Sequence, residues 1–177
     1  MSSLAFYGGS FNPPTIAHEA IVDHLVDECQ FSQALVKPCG TRKDKPELES
    51  TLPKRRLLVK EKLSRPHQNY HLDLSAMDQP MIPTVQEWSD LSEKHPQSKI
   101  SFIAGTDLFI KEKDGLCQIQ KWIDGKKLFS QANFFIYPRP VKGELLLPPS
   151  HHLVKNFTPL AISSSELRAR EKENLPK

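Results

Sequence analysis

The sequence predicts a single α/β domain built on a parallel sheet with helices on both faces. Three observations predict it. Short apolar runs alternate along the chain with amphipathic segments at helical spacing, which is the pattern that parallel strands joined by helical crossovers leave in a sequence. Glycine closes the first of those runs and the one at Ala104-Gly105, as expected of buried strands that end in tight connections. The length of 177 residues with 38% hydrophobic content suits one core over residues 1–177 and is short for two.

Leu4 to Tyr7 reads as a buried strand, followed by a turn at Gly8-Gly9. From Thr15 the pattern changes to a helix, with Ile16, Ala17, Ala20, Ile21, Leu25 and Val26 recurring every three or four residues among Glu19, Asp23 and Asp27. Ala34 to Pro38 is a second strand. A basic loop follows, and then a helix over 52–65 whose apolar positions are Leu57, Leu58 and Leu63. "YHLDLSA", residues 70–76, alternates as a third strand. Val85, Trp88 and Leu91 define a helix over 84–93, "KISFIAG" a fourth strand, residues 118–130 a further helix, and "NFFIYP" a fifth strand. Near the end, "ISSSELRAREKE" offers serines as N-caps for a charged helix. The whole is a Rossmann-like, doubly wound sheet. The fifteen prolines cluster between these elements, so they punctuate loops and mark no second domain.

Composition narrows the function. With 24 basic and 21 acidic residues the net charge is +3, too balanced for a nucleic-acid binder recognised by bulk electrostatics. No apolar run reaches the roughly 18 to 20 residues that a membrane helix needs, and the opening "MSSLAFYGG" lacks the basic and apolar regions of a secretory signal. A cytoplasmic protein without membrane partners is expected. Cys29, Cys39 and Cys117 are odd in number and unpaired in spacing, which suggests reduced thiols and no zinc site. His151 and His152 follow a proline pair and would face opposite ways in a strand, so they are taken as loop residues, not metal ligands.

In an open parallel sheet, ligands bind beyond the carboxyl ends of the strands, and the first strand-to-helix connection offers backbone N–H groups and a helix N-terminus to an anion. Gly8 to Thr15 occupies that place. Its spacing is neither G-x-G-x-x-G nor G-x-x-x-x-G-K-[ST], which excludes the dinucleotide and Walker fingerprints. Thr15 and His18, three residues apart, share one face of the first helical turn, from which a histidine can donate to a phosphate.

"GGSFNPPTIAH" resembles the phosphate-binding signature of the nucleotidylyltransferase superfamily. The resemblance continues through "FIAGTDL", Trp122 after a lysine, "YPRP" and "ISSSELR", so it spans Phe6 to Arg168 and is most similar to the nicotinate and nicotinamide mononucleotide adenylyltransferases. It implies attack by a mononucleotide phosphate on the α-phosphorus of ATP, releasing pyrophosphate and forming a dinucleotide for NAD synthesis. Roles carried over by the matching positions make His18, Thr15 and Lys43 catalytic. Gly8, Gly9, Ser10, Phe11, His18, Gly105, Asp107, Ile162, Ser163, Ser164 and Arg168 would bind ATP. Asn12, Lys43, Lys45, Thr84, Trp122 and Arg139 would bind the mononucleotide. Mg2+ carried with ATP would bridge the phosphates using few protein ligands, and a homo-oligomer is compatible with the family.

The chain departs from the family pattern at five places. Pro80-Met81 replaces a Tyr-Thr before Thr84, Thr15 and Asn12 replace a histidine and an aspartate, a charged "KEKDG" lengthens the segment before Trp122, and the chain stops at Lys177. Two rival readings follow: another superfamily transferase, such as one acting on phosphopantetheine, or a regulator that binds nucleotide without turnover.

Overall fold

The computed structural model describes residues 2–28, 31–162 and 164–173. Six parallel strands form one sheet in the order β3-β2-β1-β4-β5-β6: β1 Ser2–Gly9, β2 Gln33–Pro38, β3 Tyr70–Leu72, β4 Ser98–Gly105, β5 Asn133–Tyr137 and β6 His151–Leu153. The helices are α1 Ile16–Asp27, α2 Glu47–Ser50, α3 Leu52–Leu63, α4 Thr84–Lys94, α5 Gly125–Gln131 and α6 Ser164–Glu173.

The central strands are apolar on both faces, as burial beneath two helical layers requires. Leu4 and Phe6 of β1 join α4 and α5 through Val85, Leu128 and Phe129. Ala5 and Tyr7, the alternate residues, join α1 and α3 through Ile21, Val22, Val59 and Leu63. Burying each such large side chain stabilises the fold by about 1.5–3 kcal/mol. α1 begins at Ile16 because Pro13 and Pro14 hold the chain extended and Thr15 (φ −118, ψ 164) caps it.

Several sequence expectations are corrected. Gly8 and Gly9 are not a turn: both stay in β1, opposite Lys37 and Pro38, and the left-handed residue of the loop is Phe11 at φ 43. The third strand stops at Leu72, because the Asp73 carboxylate accepts the Ser75 N–H at 2.9 Å and turns the chain. The expected helix over 118–130 is broken into a 3-10 turn, Ile119–Lys121, and α5, with left-handed Asp124 (φ 52) between them. Gly125 is needed at that break, since a Cβ there would lie 1.9 Å from the Ile119 carbonyl oxygen. In α3 the buried stripe is Arg55, Val59 and Leu63, and Leu57 is 70% exposed. His151 and His152 lie in β6, a sixth strand that pairs with β5 at the sheet edge. Ser163 and Cys29 lie outside the described residues.

Candidate functional site

Strand order reverses beside β1, whose neighbours β2 and β4 send their connections in different directions. The loops beyond the carboxyl ends of β1, β2, β4 and β5 gather there, as ligand sites do in open α/β sheets. At the end of β1, Gly8 presents bare, exposed backbone and Ser10 a hydroxyl. Phe11 turns inward and is 2% exposed, packing edge-on to Tyr7 and to His18 with ring centroids 5.2 and 5.1 Å apart. Its side chain therefore supports the histidine, and only its backbone is left to face a ligand.

His18 is held in one orientation. Its Nδ1 accepts the Thr15 backbone N–H at 2.9 Å, and the Thr15 hydroxyl lies 2.9 Å from the same nitrogen. With Nδ1 engaged as an acceptor, the neutral ring carries its proton on Nε2. Burial, and then the positive charge of Arg139, lower its pKa from 6.5 to about 4. The imidazole is thus a neutral, fixed N–H donor. Thr15, expected to face the phosphate beside His18, is instead buried and serves the ring. Burial also pushes the Tyr7 hydroxyl well above its ordinary range, so it does not ionise near neutrality.

On the other side of β1, Gly105 ends β4 and Asp107 sits in the following 3-10 turn, Thr106–Phe109. The Thr106 hydroxyl accepts the Arg139 backbone N–H at 2.8 Å and so fixes the end of β5 against it. Arg139 Nε stands 3.8 Å from Asp107 Oδ1, and its Nη2 donates to the Ile162 carbonyl at 3.2 Å. A Cβ on Gly105 would lie 2.2 Å from Asp107 Oδ1 and 2.9 Å from Arg139 Cγ, so this close packing depends on glycine. Arg139, expected with the mononucleotide residues, therefore stands with Asp107 and Ile162. At the start of α6, the Ser164 hydroxyl donates to the Pro13 carbonyl at 2.8 Å and Arg168 Nη1 donates to the Asn12 carbonyl. The closing helix thereby docks on the loop that leads into His18.

The basic loop lies beyond β2. Arg42 is bound by Asp44 through two contacts of 2.9 and 2.6 Å, while neither Lys43 nor Lys45 forms an ion pair among the described residues. Thr41 is tied to Gln79 and Met81 by backbone hydrogen bonds of 2.8 and 2.9 Å, which bring the Pro80-Met81 segment alongside and set the approach to Thr84 at the start of α4. Trp122 follows the Ile119–Lys121 turn and packs, partly buried, on the α4–α5 side of the core. Asn12 is buried. Its Oδ1 accepts the Thr51 hydroxyl at 3.2 Å and its carbonyl takes Arg168, while Nδ2 has no partner. Among the described residues no three His, Cys, Asp or Glu side chains are grouped to hold a metal ion, and no helix is long and apolar enough to cross a membrane.

Sequence reasoning left Arg55 and Arg56 open between a role at the mononucleotide phosphate beside Lys43 and Lys45 and a place on the helix surface, and did not foresee that Arg55 is buried. It is the largest fully buried side chain among the described residues and donates through Nη2 to the Cys39 carbonyl, at the root of the basic loop. The signal was present as its spacing of four from Val59 and eight from Leu63, but an arginine in a run of charges reads as surface.

The chain is similar to known proteins over nearly its whole length. Residues 6–170 match the family model described as cytidylyltransferase-like. A probable nicotinate-nucleotide adenylyltransferase of Acholeplasma laidlawii (strain PG-8A) is 29% identical over 180 residues, covering 97% of this chain and 87% of that protein. A protein of the same description from Salinibacter ruber is 23% identical over 174 residues, covering 96% and 86%. Among solved structures, Plasmodium falciparum nicotinic acid mononucleotide adenylyltransferase complexed with NaAD superposes with a TM-score of 0.71 at 26% identity, covering 96% of this chain and 83% of that one.

Proposed function

Because the chain belongs to the cytidylyltransferase-like family, matched over residues 6–170, we propose that it transfers the adenylyl group of ATP to nicotinate mononucleotide. A phosphate oxygen of the mononucleotide attacks the α-phosphorus, the bond to the bridging oxygen breaks, and pyrophosphate leaves with the electron pair. The observation that carries this reading is the neutral His18, its donor nitrogen fixed by Thr15, beside a loop on which α6 is docked through Arg168. The relatives' descriptions as nicotinate-nucleotide enzymes support the choice of acceptor.

The substrates supply nucleophile and leaving group, so the protein's task is to position them and to neutralise charge. His18 donates to the α-phosphate from Nε2 without itself losing a proton. Ile162, Ser163, Ser164 and Arg168 take the far phosphates and adenine, with Arg139 beside them. Asp107 accepts from a ribose hydroxyl. Lys43 and Lys45 face the mononucleotide phosphate, and Thr84 and Trp122 the pyridine ring. Mg2+ carried with ATP would supply further neutralisation of the phosphate charge, using few protein ligands.

The test is to supply ATP and magnesium with nicotinate mononucleotide, nicotinamide mononucleotide or phosphopantetheine, and to measure pyrophosphate and the coupled product. Nicotinate mononucleotide should turn over fastest. Coupling to phosphopantetheine alone would overturn the assignment, and nucleotide binding without pyrophosphate would make the protein a regulator. His18→Ala should lower kcat by about 10²–10³ with the fold intact, and near-normal rates would remove His18 from the reaction.

A further inference from the structure

A buried guanidinium without a counter-ion lies beneath the basic loop. Arg55 is 1% exposed, and among the described residues no carboxylate pairs with it. The residue beside it shows the ordinary alternative, for Arg56 lies at the surface 3.4 Å from the Asp78 carboxylate. Arg55 Nη2 donates to the Cys39 carbonyl, while Nε and Nη1 are buried with no partner. One turn earlier in the chain, Thr51 donates to Asn12 Oδ1 at 3.2 Å, and Asn12 Nδ2 is likewise buried without a partner. Burial favours the neutral form of Arg55, the nearby Cys39 thiol acts against that, and the charge of Arg56 adds to it. The start of α3 therefore holds a cation that no described residue compensates, and it keys together the loop after β1 and the loop after β2.

An isolated charge inside a protein is costly unless something balances it. Nothing among the described residues does so, but the loops resting on Arg55 are those assigned here to an anionic substrate. We infer that Arg55 is a positioning residue for the mononucleotide phosphate. Its charge acts across the low-dielectric interior, and its bond to the Cys39 carbonyl sets the root of the loop carrying Lys43 and Lys45. Its unpartnered nitrogens are sealed from solvent, so it acts on the phosphate through that loop and through the field, without direct contact. The mononucleotide is selected over ATP by place: Asp107, Arg139 and Ile162 stand beyond β1 on the β4 side, whereas Cys39 lies at the end of β2. This inference rests on the reaction proposed above.

Arg55→Met removes the charge while keeping most of the volume. The KM for nicotinate mononucleotide should rise about tenfold or more, the KM for ATP should change less than about threefold, and the Tm of the free protein should be no lower than that of the wild type. Arg55→Lys keeps the charge and should restore the mononucleotide KM to within about threefold of wild type. A second readout needs no turnover: inorganic phosphate should raise the Tm of wild type and Arg55→Lys, and should lose that effect in Arg55→Met. A fall in Tm with both KM values rising together would mark Arg55 as purely structural and overturn the inference, as would equal effects of the Met and Lys variants. If wild type turns over no mononucleotide, the proposed reaction fails, while the phosphate-induced Tm shift still decides the role of Arg55. Should Arg55→Met not fold, Arg55→Lys with an unimpaired phosphate shift supports the inference, and with none refutes it.

Discussion

Acid should destabilise this protein through His18 in a way that one substitution exposes. The imidazole is held neutral because burial and the adjacent Arg139 lower its pKa from 6.5 to about 4. In the unfolded chain it titrates at its ordinary value, so between those two pH values the unfolded state binds a proton that the folded state refuses. The stability this contributes is complete above about pH 7 and is lost as pH falls toward 4. Moving an imidazole from 6.5 to about 4 is worth on the order of 3 kcal/mol. The assay is denaturant unfolding of wild type and His18→Gln across about pH 4 to 7.5. Whatever fixed cost the glutamine brings, the difference in unfolding free energy between the proteins should shift by about 3 kcal/mol in the variant's favour from pH 7.5 to pH 4. Neighbouring Tyr7 does not confuse the reading, since burial keeps its hydroxyl neutral over this range. A difference that does not vary with pH, or one that moves toward wild type on acidification, would show that His18 is solvated or already protonated in the folded protein. The picture of a fixed neutral donor would then be wrong.

Two glycine substitutions separate function from stability. A Cβ on Gly105 would collide with Asp107 Oδ1 and Arg139 Cγ, both of them side-chain atoms that can swing away. Gly105→Ala should therefore leave Tm nearly unchanged while raising the KM for ATP about tenfold, and an unaltered KM would detach Asp107 and Arg139 from the nucleotide. A Cβ on Gly40 would meet backbone instead, 2.0 Å from the Gln79 carbonyl oxygen and 2.7 Å from that of Ala76. Gly40→Ala should cost about 1–3 kcal/mol or more in unfolding free energy, read by denaturant titration, and wild-type stability would contradict the packing described between these loops.

Much of the fold was legible because its central strands are long apolar runs with helical spacing between them. β1, β2, β4 and β5 fall where the sequence placed them, and α4 differs from expectation by one residue at its end. What was hidden depended on competition between local signals. Residues 118–130 suggested one helix, yet Asp124-Gly125 is a turn dipeptide and the backbone obeyed it. β6 is three residues long, polar and paired on one side only, so it has almost no pattern to read. In the candidate site, the place of His18 in the first turn of α1 was legible in the sequence. The conversion of Thr15 from substrate contact to support was not, because spacing gives a shared face without saying which side chain that face buries.

The arginines of this site show why its charges were harder to assign than its strands. Arg55 donates to the Cys39 carbonyl, Arg139 to that of Ile162 and Arg168 to that of Asn12, so three elements each send a guanidinium to a loop at the carboxyl edge of the sheet. A carboxylate partner would orient such a group and also cancel its field. A carbonyl orients it while leaving the charge in force. For Arg55 no carboxylate pairs among the described residues, and for Arg139 the nearest is Asp107 at 3.8 Å on a partly exposed side chain. Under the proposed reaction, Arg55 and Arg139, oriented in this way, would lose little freedom when the phosphates of the substrates bind. Arg139 also bears on His18, whose pKa is lowered first by burial and then by the positive charge of Arg139. Bound phosphate would oppose that field and raise the pKa again. Burial and the Arg139 charge thus act in the same direction on the protonation state of His18.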